Sequence, residues 1–339
     1  MPKRKFDEDG LDRAINKKKK QKPKKSFNPK FDKVISTGST LLDLAISGKR
    51  VRGGGVCGGV ILEAFGPSQC GKTSILAELI ASCKARGGEA DIRDPEARLD
   101  VDYCRTYGLN RDDYDYSKPD TVTEAFDFKK WKPNTDNINV RACDSLAALS
   151  TDLEMEKGDK MGMRRAKEFS QELRKNCRLI EKNNWVIACS NQLRQGDFGD
   201  VTPGGKGIPY YASIRIKMKQ IKKIEKEKTL KSKVKVKKIV GIITECEVIK
   251  SVDEPYRKAN IYIMFNYGVD DIRANLQYLK DMNKNTTYKI GDKSYVSLDQ
   301  AVAYVEKNKL ARKLKKEVID LWEVIEAKFD TGRPKKKRN

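Results

Sequence analysis

One octapeptide constrains this chain more than any other part of it. Gly66, Pro67, Ser68, Gln69, Cys70, Gly71, Lys72 and Thr73 spell G-x-x-x-x-G-K-T, and Ser74 follows. Residues 60–65 before it read as a buried strand. Residues 74–86 after it place Ile75, Leu76, Leu79, Ile80 and Cys83 at helical spacing. A strand, a glycine-rich turn and a helix N-terminus form an anion site. The glycines let the backbone wrap a phosphate, the loop N–H groups point inward, and the helix end adds positive potential. Lys72 is placed to reach β- and γ-phosphates, and the Thr73 hydroxyl to ligate Mg²⁺.

The segments around this motif alternate in the same way. Residues 90–94, 139–143 and 185–190 read as short strands, with a helix over 164–182 between the last two. Strands alternating with helices predict an α/β fold, a mostly parallel sheet covered on both faces. Residues 242–249 and 260–265 read as paired strands. Residues 215–238 hold 12 Lys or Arg and alternate apolar with basic around Val234 and Val236. They read as a protruding basic hairpin, or as one that is merely solvated. Residues 288–296 suggest a hairpin around Gly291 and Asp292, with two helices after it. The chain divides into a basic tail or oligomerisation segment (1–33), an ATPase core (34–270), a small C-terminal α+β unit (271–330) and a basic tail (331–339). The first tail carries 13 Lys or Arg, with a short helix expected near Leu11.

The net charge of +23, from 71 basic against 48 acidic side chains, favours a polyanionic partner: DNA, RNA or an anionic membrane surface. No apolar run approaches the roughly 18 residues of a spanning helix. No apolar segment follows the basic N-terminus as in a secretory signal. A cytoplasmic protein without a membrane partner is expected. The 8 cysteines form no C-x-x-C pair, which suits free thiols in a reducing compartment. Cys70 is an exception by position. It lies at a helix N-terminus beside Lys72, so a lowered thiol pKa and alkylation that blocks nucleotide binding are expected. The chain has no histidine, so proton transfer falls to a carboxylate, Lys, Tyr or Cys.

Three polar residues at strand ends complete a hydrolytic set. Asp144 follows the strand at 139–143 and suits a Mg²⁺ ion held partly through water. Glu96 follows the strand at 90–94 and is the candidate base for an attacking water. Gln192 follows the strand at 185–190 and can sense a γ-phosphate. Arg93 and Arg141 interrupt otherwise buried strands and are expected to mark a sheet edge or an interface.

Together these segments resemble the bacterial and phage RecA recombinase family. The resemblance runs from about Val34 to Phe329. It takes in Ile35 to Ser39, Leu41 to Ala45, the phosphate loop, and Asp94 to Asp100 with Tyr103. It continues through Cys143 to Leu149, Met161 and Gly162, Ser170 to Lys175, Asn191 and Gln192, Gly204 and Gly205, and Tyr211 to Arg215. It implies a RecA-like core that polymerises on single-stranded DNA with ATP and Mg²⁺ and pairs it with homologous duplex. ATP would lie between subunits of a helical filament. Asp100 would hydrogen-bond adenine and Tyr103 stack on it. Two disordered loops, residues 154–163 and 194–206, would line the DNA channel. Met161 and Phe198 would pack against base steps, Phe198 alternatively being loop packing. Ser170, Arg174, Arg194, Gly204 and Gly205 would reach phosphates, holding DNA without reading sequence. The small C-terminal unit would be DNA-associated.

The departures matter as much. Lys250 aligns with one of two family lysines that act on a neighbour's γ-phosphate, while the other position is Val252, with Asp253 beside it. Relatives that bind K⁺ at a comparable place suggest a K⁺ near Asp253. The second loop is shorter than in the typical bacterial protein, and the acidic C-terminal brake is replaced by a basic run from Arg333 to Arg338. That run is either an ordinary basic tail or a compartment-targeting signal. Binding should be steeply salt-dependent, and deleting residues 1–30 should flatten the slope. Two rivals remain open: a RecA-fold hexameric helicase or motor, and a DNA-coating filament protein with a vestigial ATPase.

Overall fold

The computed structural model describes residues 33–128, 136–152, 162–196, 199–201, 205 and 207–333. Helix α1 (Thr40–Ser47) is buried along its whole length and capped by Ser39, whose hydroxyl accepts the Leu42 N–H. Strand β1 (Val60–Gly66) is buried at all seven positions, as a strand covered on both faces must be. Then come α2 (Lys72–Ala85), β2 (Ala90–Arg93), α3 (Val101–Arg105), β3 (Asp115–Ser117), α4 (Val122–Ala125), β4 (Asn139–Cys143), α5 (Gly162–Lys182) and β5 (Trp185–Gln192). A ribbon of β6 (Arg194–Gly196) and β7 (Gly199–Val201) leads to α6 (Gly207–Tyr211). The core closes with β8 (Ile214–Thr229), β9 (Lys235–Lys250), β10 (Arg257–Met264) and β11 (Gly268–Val269).

These strands form one nine-stranded sheet in the order β11-β10-β9-β8-β1-β5-β4-β2-β3. From β8 to β3 every pairing is parallel; from β8 to β11 every pairing is antiparallel. The parallel strands therefore all end on one edge, where α/β sheets place ligands. The phosphate loop leaves β1 there, and Glu96, Asp144 and Gln192 come from the ends of β2, β4 and β5. The expected fold class, a mostly parallel sheet flanked by helices, is the one observed. No helix among the described residues is long and apolar enough to cross a membrane.

Two expectations need correction. Arg141 does not mark an edge: β4 lies between β5 and β2, and the side chain is 2% exposed. It directly faces Asp91 on β2, and its Nε donates to Asp91 Oδ2 at 2.8 Å. It also donates to the carbonyls of Ala125 and Asp127, with its guanidinium 4.5 Å from the Phe128 ring centre. Arg93 sits one strand in from the edge and shares Asp91, while donating to Ser117 Oγ at 2.6 Å. Burial forces charge pairing here, and the partner of Arg141 lies 50 residues away. The second loop is not wholly without structure either, since residues 194–201 contain the β6–β7 ribbon. The first loop, before Gly162, lies outside the described residues, as does the expected helix near Leu11.

The basic segment forms the distal part of the β8–β9 hairpin, whose pairing runs from Arg215 with Lys250 to Thr229 with Lys235. Its outer half is exposed, including Leu230, Val234 and Val236. Helix α7 (Asp271–Met282), the hairpin β12 (Tyr288–Ile290) and β13 (Lys293–Tyr295), α8 (Leu298–Lys307) and α9 (Ala311–Lys328) close the chain. Leu276, Tyr288, Ala301, Val302, Val305 and Leu314 make a small core of their own. Val318 and Ile319 of α9 join the main core instead.

Candidate nucleotide site

The phosphate loop is shaped by contacts that tolerate no side chain. A Cβ at Gly66 would lie 2.1 Å from the Met218 carbonyl oxygen. Gly71 has φ +90°, and a Cβ there would lie 2.1 Å from Ile263 Cδ1. The loop is also tied to the antiparallel strands, because Thr244 Oγ1 donates to the Cys70 carbonyl at 3.0 Å. Pro67, Ser68 and Gln69 are exposed at the turn. Lys72 Nζ donates to the carbonyls of Gly66 at 3.0 Å and Pro67 at 2.7 Å.

The predicted metal pair meets directly. Thr73 Oγ1 donates to Asp144 Oδ2 at 2.5 Å, and Ser190 Oγ donates to the other carboxylate oxygen. Burial raises the Asp144 carboxyl above its ordinary value, opposed by these two hydroxyls. A hydroxyl and a carboxylate at the mouth of a phosphate loop are the hard oxygen donors that Mg²⁺ takes, so the residues present fit that ion. Glu96 accepts from Ser145 Oγ and pairs with Arg98 Nε at 2.7 Å. Lys72, Thr73, Glu96, Asp144 and Gln192 all line one cleft of about 690 Å³.

Tyr103 lines the same cleft and shares hydrogen bonds at 3.0 Å with Ser74 Oγ and Tyr107 Oη. Burial raises its phenol above the ordinary value. Asp100 is exposed and caps α3, accepting the Tyr103 N–H at 2.7 Å, and it is not among the residues lining the cleft. Sequence reasoning missed the opposite wall, where Gln220 and Lys223 of β8, Ile242 of β9, and Ile263, Phe265 and Asn266 around the end of β10 face the phosphate loop. Alternating apolar residues in a strand look alike whether they face a core or a ligand. Ser145 and Ser190 were also missed. Ser190 had a signal, being the first polar residue of a strand that opens as an apolar run and ends at Gln192.

Cys70 is a third correction. It is buried, and desolvation pushes its thiol above the ordinary value, outweighing the attraction of Lys72, whose Nζ is 3.8 Å away. Position at a helix end lowers a thiol pKa only where the thiolate keeps some solvation.

Among the candidate DNA residues, Ser170 and Arg174 lie one turn apart on α5. Ser170 Oγ donates to the Ala166 carbonyl at 2.9 Å, and Arg174 is exposed. Gly205, at φ +63°, packs against Ala166, where a Cβ would come within 2.6 Å. Arg194 begins β6. Met161, Phe198 and Gly204 lie outside the described residues. Lys250 does not line this cleft. Its Nζ donates to the carbonyls of Pro209 and Tyr210, and burial, then Arg215, lowers its pKa. Asp253 is engaged by Arg257 Nη1 at 3.3 Å and the Lys49 N–H at 3.2 Å.

Fold and cleft together define a P-loop nucleotide-binding protein. A family model described as the RecA N-terminal domain matches residues 13–270. Protein RecA of Xanthomonas campestris pv. campestris strain B100 is 30% identical over 315 residues, 88% of each chain. Protein RecA of Xylella fastidiosa strain M23 is 32% identical over 272 residues, 76% of this chain and 74% of that one. Protein RecA of Clostridium perfringens strain 13 is 34% identical over 249 residues, 71% and 66% respectively. The chain belongs to the RecA family of DNA recombinases. These matches do not favour the ring-forming motor or the coat protein with a spent ATPase.

Proposed function

We propose that this protein is a DNA-dependent ATPase that forms a helical filament on single-stranded DNA and exchanges strands with homologous duplex. The observation that carries the reading is the convergence of Lys72, Thr73, Glu96, Asp144 and Gln192, from four strand ends, on one cleft. Lys72 exchanges its two loop carbonyls for β- and γ-phosphate oxygens when ATP enters. Thr73 and, through water, Asp144 would hold Mg²⁺, which would supply positive charge to offset that of the phosphates. Glu96, oriented by Arg98 and Ser145, accepts the proton of the water that attacks the γ-phosphorus as the bridging bond to the β-phosphate breaks. Gln192 lies where the γ-phosphate ends and the second loop begins, so its hydrogen bonding differs before and after hydrolysis.

Tyr103 flanks the base, with Phe265 across the cleft, and Asp100 acts from the rim. Lys250 serves the neighbouring subunit's γ-phosphate, which agrees with its place outside its own cleft. Met161, Ser170, Arg174, Arg194, Phe198, Gly204 and Gly205 form the DNA-facing set. K⁺ has no place in this scheme, because Asp253 already holds Arg257. ATP turnover should be equal in Na⁺ and K⁺ buffers, and a dependence on K⁺ would restore the cation.

The deciding experiment measures ATP hydrolysis with and without single-stranded DNA for the wild type and Lys72→Ala. Stimulation by DNA that vanishes in the variant supports the reading. Tight DNA binding with no stimulation in the wild type overturns it.

A further inference from the structure

We propose that Glu63 is a positioning residue that clasps both ends of the segment running from β5 to β8, and so couples its DNA-facing part to the ATP cleft. The inference rests on the function proposed above. Glu63 lies on β1, three residues before the phosphate loop, and is 0% exposed. On one side of β1, Asn191 Nδ2 donates to Glu63 Oε1 at 2.9 Å. On the other, Arg215 Nε donates to Glu63 Oε2 at 2.6 Å, with its guanidinium 4.5 Å from the Phe65 ring centre. Asn191 Oδ1 in turn accepts the backbone N–H of Gln192 at 3.0 Å. The chain leaves the sheet at Gln192 and re-enters at Ile214. One carboxylate thus holds the next-to-last strand residue before the excursion and the first charged residue after it.

A buried carboxylate is costly unless paired and fully hydrogen-bonded. A shift of Gln192 that turned the Asn191 amide would leave Glu63 short of one partner and Arg215 as its sole support. The two ends of the segment therefore move together, and movement at the γ-phosphate is shared with the return strand β8.

Glu63→Gln separates this role from support of the fold. A glutamine cannot serve both partners. With its oxygen toward Asn191, its NH₂ meets the Arg215 donor. Flipped, its NH₂ meets the Asn191 amide, which must turn over and give up the Gln192 N–H. Adding Arg215→Gln restores a complete set. The carbonyl oxygen introduced there stands at the same bond count as Arg215 Nε and accepts the NH₂ of the glutamine that replaces Glu63. The readout is the ratio of ATP turnover with and without single-stranded DNA, alongside nucleotide binding.

Glu63→Gln should lower that ratio on the order of tenfold, leave DNA-free turnover and nucleotide binding unchanged, and recover in the double variant. Wild-type stimulation in Glu63→Gln, or a folded double variant no better than the single one, overturns the clasp. If Glu63→Gln does not fold, Asn191→Ala removes one end alone and must show the same fall, and a normal ratio there overturns the clasp. Wild-type turnover indifferent to DNA overturns the functional reading and the clasp with it.

Discussion

The two halves of the sheet meet at β8 and make different contributions to the cleft. The parallel half, from β1 to β3, delivers single polar groups from strand ends: Lys72, Thr73, Glu96, Asp144 and Gln192. The antiparallel half, from β8 to β11, delivers a wall lined by Ile242, Ile263 and Phe265, of which Ile263 packs closely against the loop at Gly71. One half fixes what chemistry can occur, and the other fixes the shape in which it occurs. The burial patterns follow: β1 is buried throughout, whereas β8 passes from buried at Ile214 to exposed at Thr229.

The largest contrast should appear in activity. Lys72→Ala should reduce ATP turnover on the order of 10³-fold, as loss of a charge-stabilising donor does. Lys223→Ala, on the wall, should change it only a few-fold. Equal losses in a steady-state assay would break the division. Stability comes next. Arg141→Met leaves Asp91 buried without its strongest partner and should cost about 3–5 kcal/mol in a denaturant titration. Lys226→Ala, which removes the exposed pair with Asp299 from the hairpin, should cost about 0–1 kcal/mol.

A contact between helix α2 and the last antiparallel strand, β11, gives a pH effect. Glu78 on α2 accepts the Val269 N–H at 3.3 Å, and burial pushes its carboxyl up to about 7 from an ordinary 4.5. Between those values the folded chain keeps a proton that the unfolded chain has lost, so stability falls as pH rises through that window. Glu78→Gln should flatten this slope and stabilise by about 2–3 kcal/mol at pH 8, read as a rise in Tm that disappears below pH 4.5. An unchanged Tm at pH 8 would refute a strained carboxyl. Smallest is thiol labelling at neutral pH. It should modify exposed Cys177 before buried Cys70, with nucleotide binding intact while only Cys177 has reacted. Early loss of binding would return Cys70 to the reactive class.

What could be read from the sequence follows this division. The phosphate loop, Asp144, Glu96 and Gln192 were legible because each is a polar or glycine-marked interruption at the end of an apolar run. Ile263 and Phe265 were not, because an apolar strand residue carries no mark of what it faces. The Asp91–Arg141 pair was misread because proximity across neighbouring strands is invisible until strand order is known. The Cys70 pKa was misread because helix-end position shows in sequence and burial does not. The family resemblance supplied the roles proposed for Asp100, Lys250 and the candidate DNA residues, which local spacing could not assign.

Strand β8 has a use of its own. Its 16 residues extend about 50 Å at the usual strand rise, from the level of the phosphate loop to the lysine-rich tip. Amide hydrogen exchange along it should grade from slow at Ile216 to fast near Thr229. The strand is thus a built-in ruler. The residue at which exchange slows when DNA is added would measure, in ångströms from the nucleotide, how far the bound strand's grip extends.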